Sequence, residues 1–219
     1  DSLFSKARMT LKLPWMEASE YGELGSELDT LLRAELGNDV DITITGMVPL
    51  FQRTLVAAMN SMASSYVTAF FLITIIMMVI LGSVKIGFVS MLPNVLPVVM
   101  TLAIMSITNM PLDIFTMLIG AIIIGLSVDD TVHFFHNFSR YHASGIGVNK
   151  AIEETMIGTG RAMMATTIVL CLGFYIYMFG SMSNLVNCGV LTGSAIIIAL
   201  LSDILLSPAL LKLISKDEK

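Results

Sequence analysis

The sequence predicts a mainly α, polytopic membrane helix bundle of five spans, preceded by an N-terminal α+β fragment. Three observations carry this. Of 219 residues, 55% are hydrophobic and only 13% charged, and the mean hydropathy is +0.83, far outside the range of water-soluble domains. Apolar runs lie at about 61–81, 86–107, 113–137, 157–179 and 185–211, each long enough to cross about 30 Å of hydrocarbon at about 1.5 Å per residue. Residues 1–50 differ, holding nine of the seventeen acidic side chains.

The N-terminal 50 residues read as strand, helix, strand. Apolar and polar residues alternate from Ala7 to Leu13, ahead of Pro14, as in a half-buried strand. Tyr21, Leu24, Leu28, Leu31, Leu32 and Leu36 then recur at helical spacing over about 17–36, with Gly37 placed to end the helix. Alternation returns from Val40 to Thr45. Residues 51–60 form an amphipathic lead-in that feeds the first span without a flexible linker.

Short connections at 82–85, 108–112 and 180–184 predict antiparallel neighbours. The segment 138–156 is longer, and 151–156 suits an interfacial helix. Lys85, Arg140, Lys150, Arg161, Lys212, Lys216 and Lys219 all fall on one side of a five-span topology. That side is predicted to be cytoplasmic, which places residues 1–60 outside and the tail 216–219 inside a cell (inner) membrane. The chain starts with Asp1 and shows no basic-then-apolar leader, which predicts a piece of a longer protein. Nothing resembles a basic patch for nucleic acid. Cys171 and Cys188 fall in apolar spans and read most simply as small packing residues.

The third span ends in an unusual run, Gly125-Leu-Ser-Val-Asp129-Asp130-Thr-Val-His133. An acid near a bilayer centre costs roughly 2.5–3.5 kcal/mol on insertion scales, so such a pair marks an ion path, a proton relay or a buried counter-charge. Helical offsets put Asp129, His133, His136 and Arg140 in one stripe. Asp130 lies about 100° round the helix. Adjacent carboxylates in low dielectric resist double ionisation, which suits reversible proton binding. Both acids are expected to turn inward from a central third span. His133 reads either as a proton shuttle or as a hydrogen-bonded packing residue, and His136 as interfacial. Asp129, His133 and His136 are a weak metal signature, so no metal is assigned.

Further candidates lie on later spans. Arg161 enters the fourth span, with Thr166 and Thr167 beyond it; each hydroxyl can serve the acids or bond its own helix. Asp203 in the last span is a second intramembrane acid, either a relay or a structural partner. Asp113 reads as a cap or interface residue. Pro93 and Pro97 flank Asn94 and predict a kink or a hydrated path. The seventeen methionines suit malleable packing or a greasy substrate, packing being the simpler reading.

Taken in order, Leu92-Pro-Asn-Val-Leu-Pro97, Gly125-Leu-Ser-Val-Asp129-Asp130-Thr-Val-His-Phe134, Gly158-Thr-Gly-Arg161, Thr166-Thr167, Gly173-Phe174 and Ser207-Pro-Ala-Leu-Leu211 resemble the second membrane half of the resistance–nodulation–division (RND) superfamily. The likeness is to its MMPL-type branch, related to Patched and the sterol-sensing domain. The resemblance implies a twelve-span, proton-driven exporter of lipids or other hydrophobic molecules, with a first half outside this stretch. It implies that residues 1–50 are the end of a porter-like domain. Asp129 and Asp130 match the family's proton-relay acids, and Arg161 and Thr166 its basic and hydroxyl positions. Membrane lipids, a hydrophobic substrate, the other half and a homo-oligomeric copy are the partners expected; no cofactor and no enzymatic activity are. The competing reading is a sterol- or lipid-sensing module without transport.

Overall fold

A computed structural model describes residues 7–13, 18–37, 40–110 and 114–215. The expectations for Pro14, Asp113 and the tail 216–219 lie outside the described residues. The chain divides into two compact units, residues 1–60 and 61–219.

In the first unit, α1 (Ala18–Leu36) forms where the leucine spacing predicts it. Gly37 closes it at φ +72°, its N–H donating to the Arg33 carbonyl at 3.1 Å, a left-handed cap that glycine adopts without steric cost. The predicted α+β fragment is not formed. Residues 7–13 and 40–45 are irregular, and no strand occurs among the described residues. Alternation sets which face a strand would bury, but a strand exists only when a second backbone completes its ladder. Neither segment has one.

Among the described residues, five helical runs are long and apolar enough to cross a membrane. The first, α2 (Met47–Ile80), joins the amphipathic lead-in to the first span as one helix. Gly82, at φ +60°, makes the turn into the short α3 (Val84–Val89), capped by Ser83, whose Oγ accepts from the Ile86 N–H. The second span continues through α4 (Leu92–Ile107), and the third is α5 (Ile114–Ala143). The predicted long connection at 138–156 shrinks to residues 144–147. Phe138 is fully buried and keeps α5 helical past 137, and Gly145, at φ +88°, turns the chain.

The expected interfacial helix is instead the start of the fourth span. It comprises α6 (Val148–Thr155), a π-helical turn Met156–Gly160, α7 (Arg161–Tyr175) and a 3-10 turn Ile176–Phe179. The reason is packing: Ala151 and Ile152 are buried in the cluster that holds Phe134, Phe135 and Phe138. The fifth span is α8 (Ser183–Ser215).

The hub of the bundle is α8, not the third span. It packs against α4, α5 and α7, and on the α7 side small residues let the backbones approach. A Cβ on Gly189 would stand 2.6 Å from the Phe174 carbonyl oxygen, and one on Gly193 2.6 Å from the Tyr175 ring. Gly189→Ala should therefore force the α7–α8 contact apart and cost about 1–3 kcal/mol, read as a lower thermal midpoint in detergent. Gly173→Ala, where a Cβ meets nothing within 4 Å, should be neutral or slightly stabilising.

Candidate functional site

The two faces of α5 differ in kind. Ile119, Ile123, Ser127, Thr131, Phe134, Phe135 and Phe138 recur at helical spacing and are all buried. Two positions after Ser127, about 200° round the helix, Asp129 points the other way. Its side chain is 74% exposed and that of His133 66% exposed. Asp130 is half-buried. The stripe predicted for Asp129, His133, His136 and Arg140 is formed, and all four are exposed. It faces out of the five-helix packing, contrary to the inward turn expected of Asp129, whereas Asp130 is half-buried. The inward face is already filled by phenylalanines and hydroxyls, which leaves no room for it.

Asp129 is the sixteenth residue of a helix of thirty, so about 22 Å of helix lies on either side. His133 Nε2 stands 3.7 Å from Asp129 Oδ1, beyond direct hydrogen-bond range but close enough for an ion pair when the imidazole is protonated. Arg140 lies over the Tyr141 ring, 5.2 Å from its centroid. On α7, Arg161 and Thr166 are exposed. The Thr166 hydroxyl bonds its own helix, 2.9 Å from the Met163 carbonyl. Thr167 is buried, and its Oγ1 has no hydrogen-bond partner. The π-helical turn before Arg161 is tied to α5, where Asn137 Nδ2 donates to Thr159 Oγ1 at 2.8 Å. Such turns concentrate at functional sites. Among the described residues, no three His, Cys, Asp or Glu side chains converge on a metal-sized site.

The inward face carries a second polar cluster. Asp203 on α8 is fully buried. Its Oδ1 lies 2.8 Å from Thr131 Oγ1 and accepts from Ser207 Oγ at 3.2 Å, while Oδ2 has no partner. Thr131 Oγ1 is also 2.9 Å from Asn94 Oδ1, which accepts from Ser127 Oγ at 2.9 Å. Asn94 is anchored on its own helix, Nδ2 donating to the Ser90 carbonyl at 3.2 Å. Asp203 was a candidate from sequence; Asn94, Ser127 and Thr131 had no assigned role. The signal was present, since Ser127 and Thr131 share a face four residues apart, opposite Asp129.

The prolines of α4 complete the picture. Pro97 has no N–H, so the Pro93 carbonyl, four residues earlier, loses its helical donor. Ser202 Oγ supplies one at 3.0 Å. The carbonyl freed by Pro97 is thus met by a direct bond from α8. Beside it, an apolar crevice of about 260 Å³ opens between α2, α4 and α5, lined by Tyr66, Phe70, Val95, Val98 and Val128, with Asn94 also on its wall.

The MMPL family profile matches residues 10–218. A protein of Methanocaldococcus jannaschii, named as a membrane protein, is 29% identical over 174 residues, which is 78% of this chain and 44% of the relative. The chain thus spans less than half the length of that relative.

Ser202→Ala should leave the Pro93 carbonyl buried without a donor, at a cost of about 1–3 kcal/mol. Adding Pro97→Ala returns a backbone N–H to that carbonyl, so the double variant should regain thermal stability that Ser202→Ala alone has lost.

Proposed function

The chain belongs to the MMPL family, and on that premise we propose that it is part of an RND-type transporter that exports a lipid or other hydrophobic molecule. Export is driven by protons bound and released at Asp129 and Asp130. One observation supports this most: a carboxylate in the middle of an apolar helix is exposed on the outside of its own bundle. In hydrocarbon an acid must meet a partner or a water-filled path. A second six-helix half, as in RND-type architectures, supplies the opposing wall.

In this reading the stripe is a path. A proton enters at mid-helix, and His133, His136 and Arg140 lead one turn at a time toward the end of α5. That end is cytoplasmic by the distribution of basic residues, which puts residues 1–60 outside the cell membrane. Arg161 supplies positive charge on the following span. Asp130 is half-buried beside an exposed Asp129, so the two neighbouring acids have different surroundings.

A specific observation favours the second reading, a lipid-sensing module. The crevice beside Asn94 is almost wholly apolar in its lining and suits a hydrocarbon chain or sterol-like ligand. Transport and sensing separate in one assay. In proteoliposomes with an imposed pH gradient, Asp129→Asn and Asp130→Asn should each reduce proton-coupled export of a lipid probe at least tenfold while insertion is unchanged, because asparagine keeps the size but exchanges no proton. Undiminished export in both variants contradicts the relay. Lipid binding without any export, in wild type and variants alike, supports the sensor.

A further inference from the structure

The cluster around Asp203 poses a counting problem. It has four close contacts: Ser127 to Asn94, Thr131 to Asn94, Thr131 to Asp203, and Ser207 to Asp203. Three hydroxyls, on Ser127, Thr131 and Ser207, are available to fill them. A hydroxyl donates one proton. Thr131 is asked to donate twice, to Asn94 Oδ1 and to Asp203 Oδ1, and cannot. The Asn94 amide does not help, because its Nδ2 points to the Ser90 carbonyl and Met91 Sδ.

A fourth proton on Asp203 completes the set. Asp203 Oδ1–H then donates to Thr131 Oγ1, Thr131 and Ser127 donate to Asn94 Oδ1, and Ser207 donates to Asp203 Oδ1. We propose that Asp203 is a second proton-binding site, separate from Asp129 and Asp130, and that its proton locks α4, α5 and α8 together through the Thr131 hydroxyl. When the Asp203 O–H bond breaks and the proton passes to water, Thr131 rotates to donate to the carboxylate. Asn94 Oδ1 then keeps only Ser127. The tie from Asp203 through Thr131 to α4 opens, while the tie from α5 to α8 remains.

Every group in this chain is buried, so each bond lost there is felt in full. Of the helices packed around Asp203, α4 carries no ionisable residue. On α8 the other charged residue is Lys212, nine positions on, and on α7 it is Arg161, which is exposed; Cys188 on α8 and Cys171 and Tyr175 on α7 are the remaining titratable groups there, and α3 and α6, which also pack against α8, carry Lys85 and Lys150, Glu153 and Glu154. The ionisable neighbour that acts on Asp203 electrostatically is Asp130 on α5. Asp203 and Asp130 are therefore not independent. The site also stands without the transport reading, because it rests on a buried network on the opposite face of α5 from Asp129.

The test is infrared spectroscopy of the protein in phosphatidylcholine vesicles at neutral pH, with aspartate carboxyls carbon-13 labelled. A protonated-carboxyl stretch is expected in the wild type, retained in the double variant Asp129→Asn/Asp130→Asn, and lost when Asp203→Asn is added to that double variant. Thr131→Val removes the acceptor and should shift that stretch to higher frequency, whereas Thr131→Ser should restore it. No protonated band in the wild type overturns the proposal, as does a band in the double variant that adding Asp203→Asn leaves intact. A carboxylate band that moves when sodium replaces potassium also overturns it and indicates a cation in the proton's place. Should Asp203→Asn fail to insert, the Thr131→Val shift decides alone: an unmoved band rejects the site. Since no transport is measured, failure here is distinct from failure of the exporter reading.

Discussion

Hydrocarbon supplies no hydrogen bonds, so every polar group in these five spans has to be answered by another part of the protein. That constraint organises the bundle. Pro97 deprives Pro93 of a donor and α8 provides Ser202; Asn94 is answered by Ser127 and Thr131 of α5; Asp203 is answered by Thr131 and Ser207. The three helices meet where their unsatisfied groups coincide. Along the same face of α5, the buried Phe134, Phe135 and Phe138 continue the packing beyond it.

The same constraint gives Asp129 its meaning. Inside the bundle Asn94, Thr131, Ser202, Asp203 and Ser207 meet one another or a backbone carbonyl by direct bonds, whereas on the outer face of α5 an exposed carboxyl stands with a histidine 3.7 Å away. The two sides of α5 thus differ: one is bonded within the bundle and the other leaves an acid open. In the exporter reading the open side meets a second half with water between the two, and the inner network then serves as the rigid back wall. A proton on Asp203 would make that wall itself sensitive to protonation, which joins the two faces of α5 through adjacent positions, Asp130 and Thr131.

Sequence patterning located the five spans because their signal is local: twenty apolar residues are a property of composition. It located Asp129, Asp130 and Asp203 because acids stand out in such runs. It misjudged what depends on other segments. The strands at 7–13 and 40–45 needed ladder partners that alternation cannot reveal. Helix α5 ran on to Ala143, and the fourth span began at Val148, because Phe138, Ala151 and Ile152 bury one another. The facing of Asp129 was misread since two carboxylates were assumed to seek the core, whereas Ser127 and Thr131 had already claimed the inward side. Their i, i+4 spacing was legible; that Asn94 and Asp203 would meet them there was not, because that contact joins residues from three spans.

A relay at Asp129 requires that its surroundings be wet in the assembled membrane protein, and this can be measured directly. With Cys171 and Cys188 replaced by alanine, a single cysteine is placed at position 129, or at Val169, an outward apolar position 68% exposed on α7. Each is treated in intact membranes with a water-soluble thiol reagent that does not cross lipid. The account expects position 129 to react at least tenfold faster than position 169. Equal, negligible reaction at both would place Asp129 against dry hydrocarbon and contradict the relay.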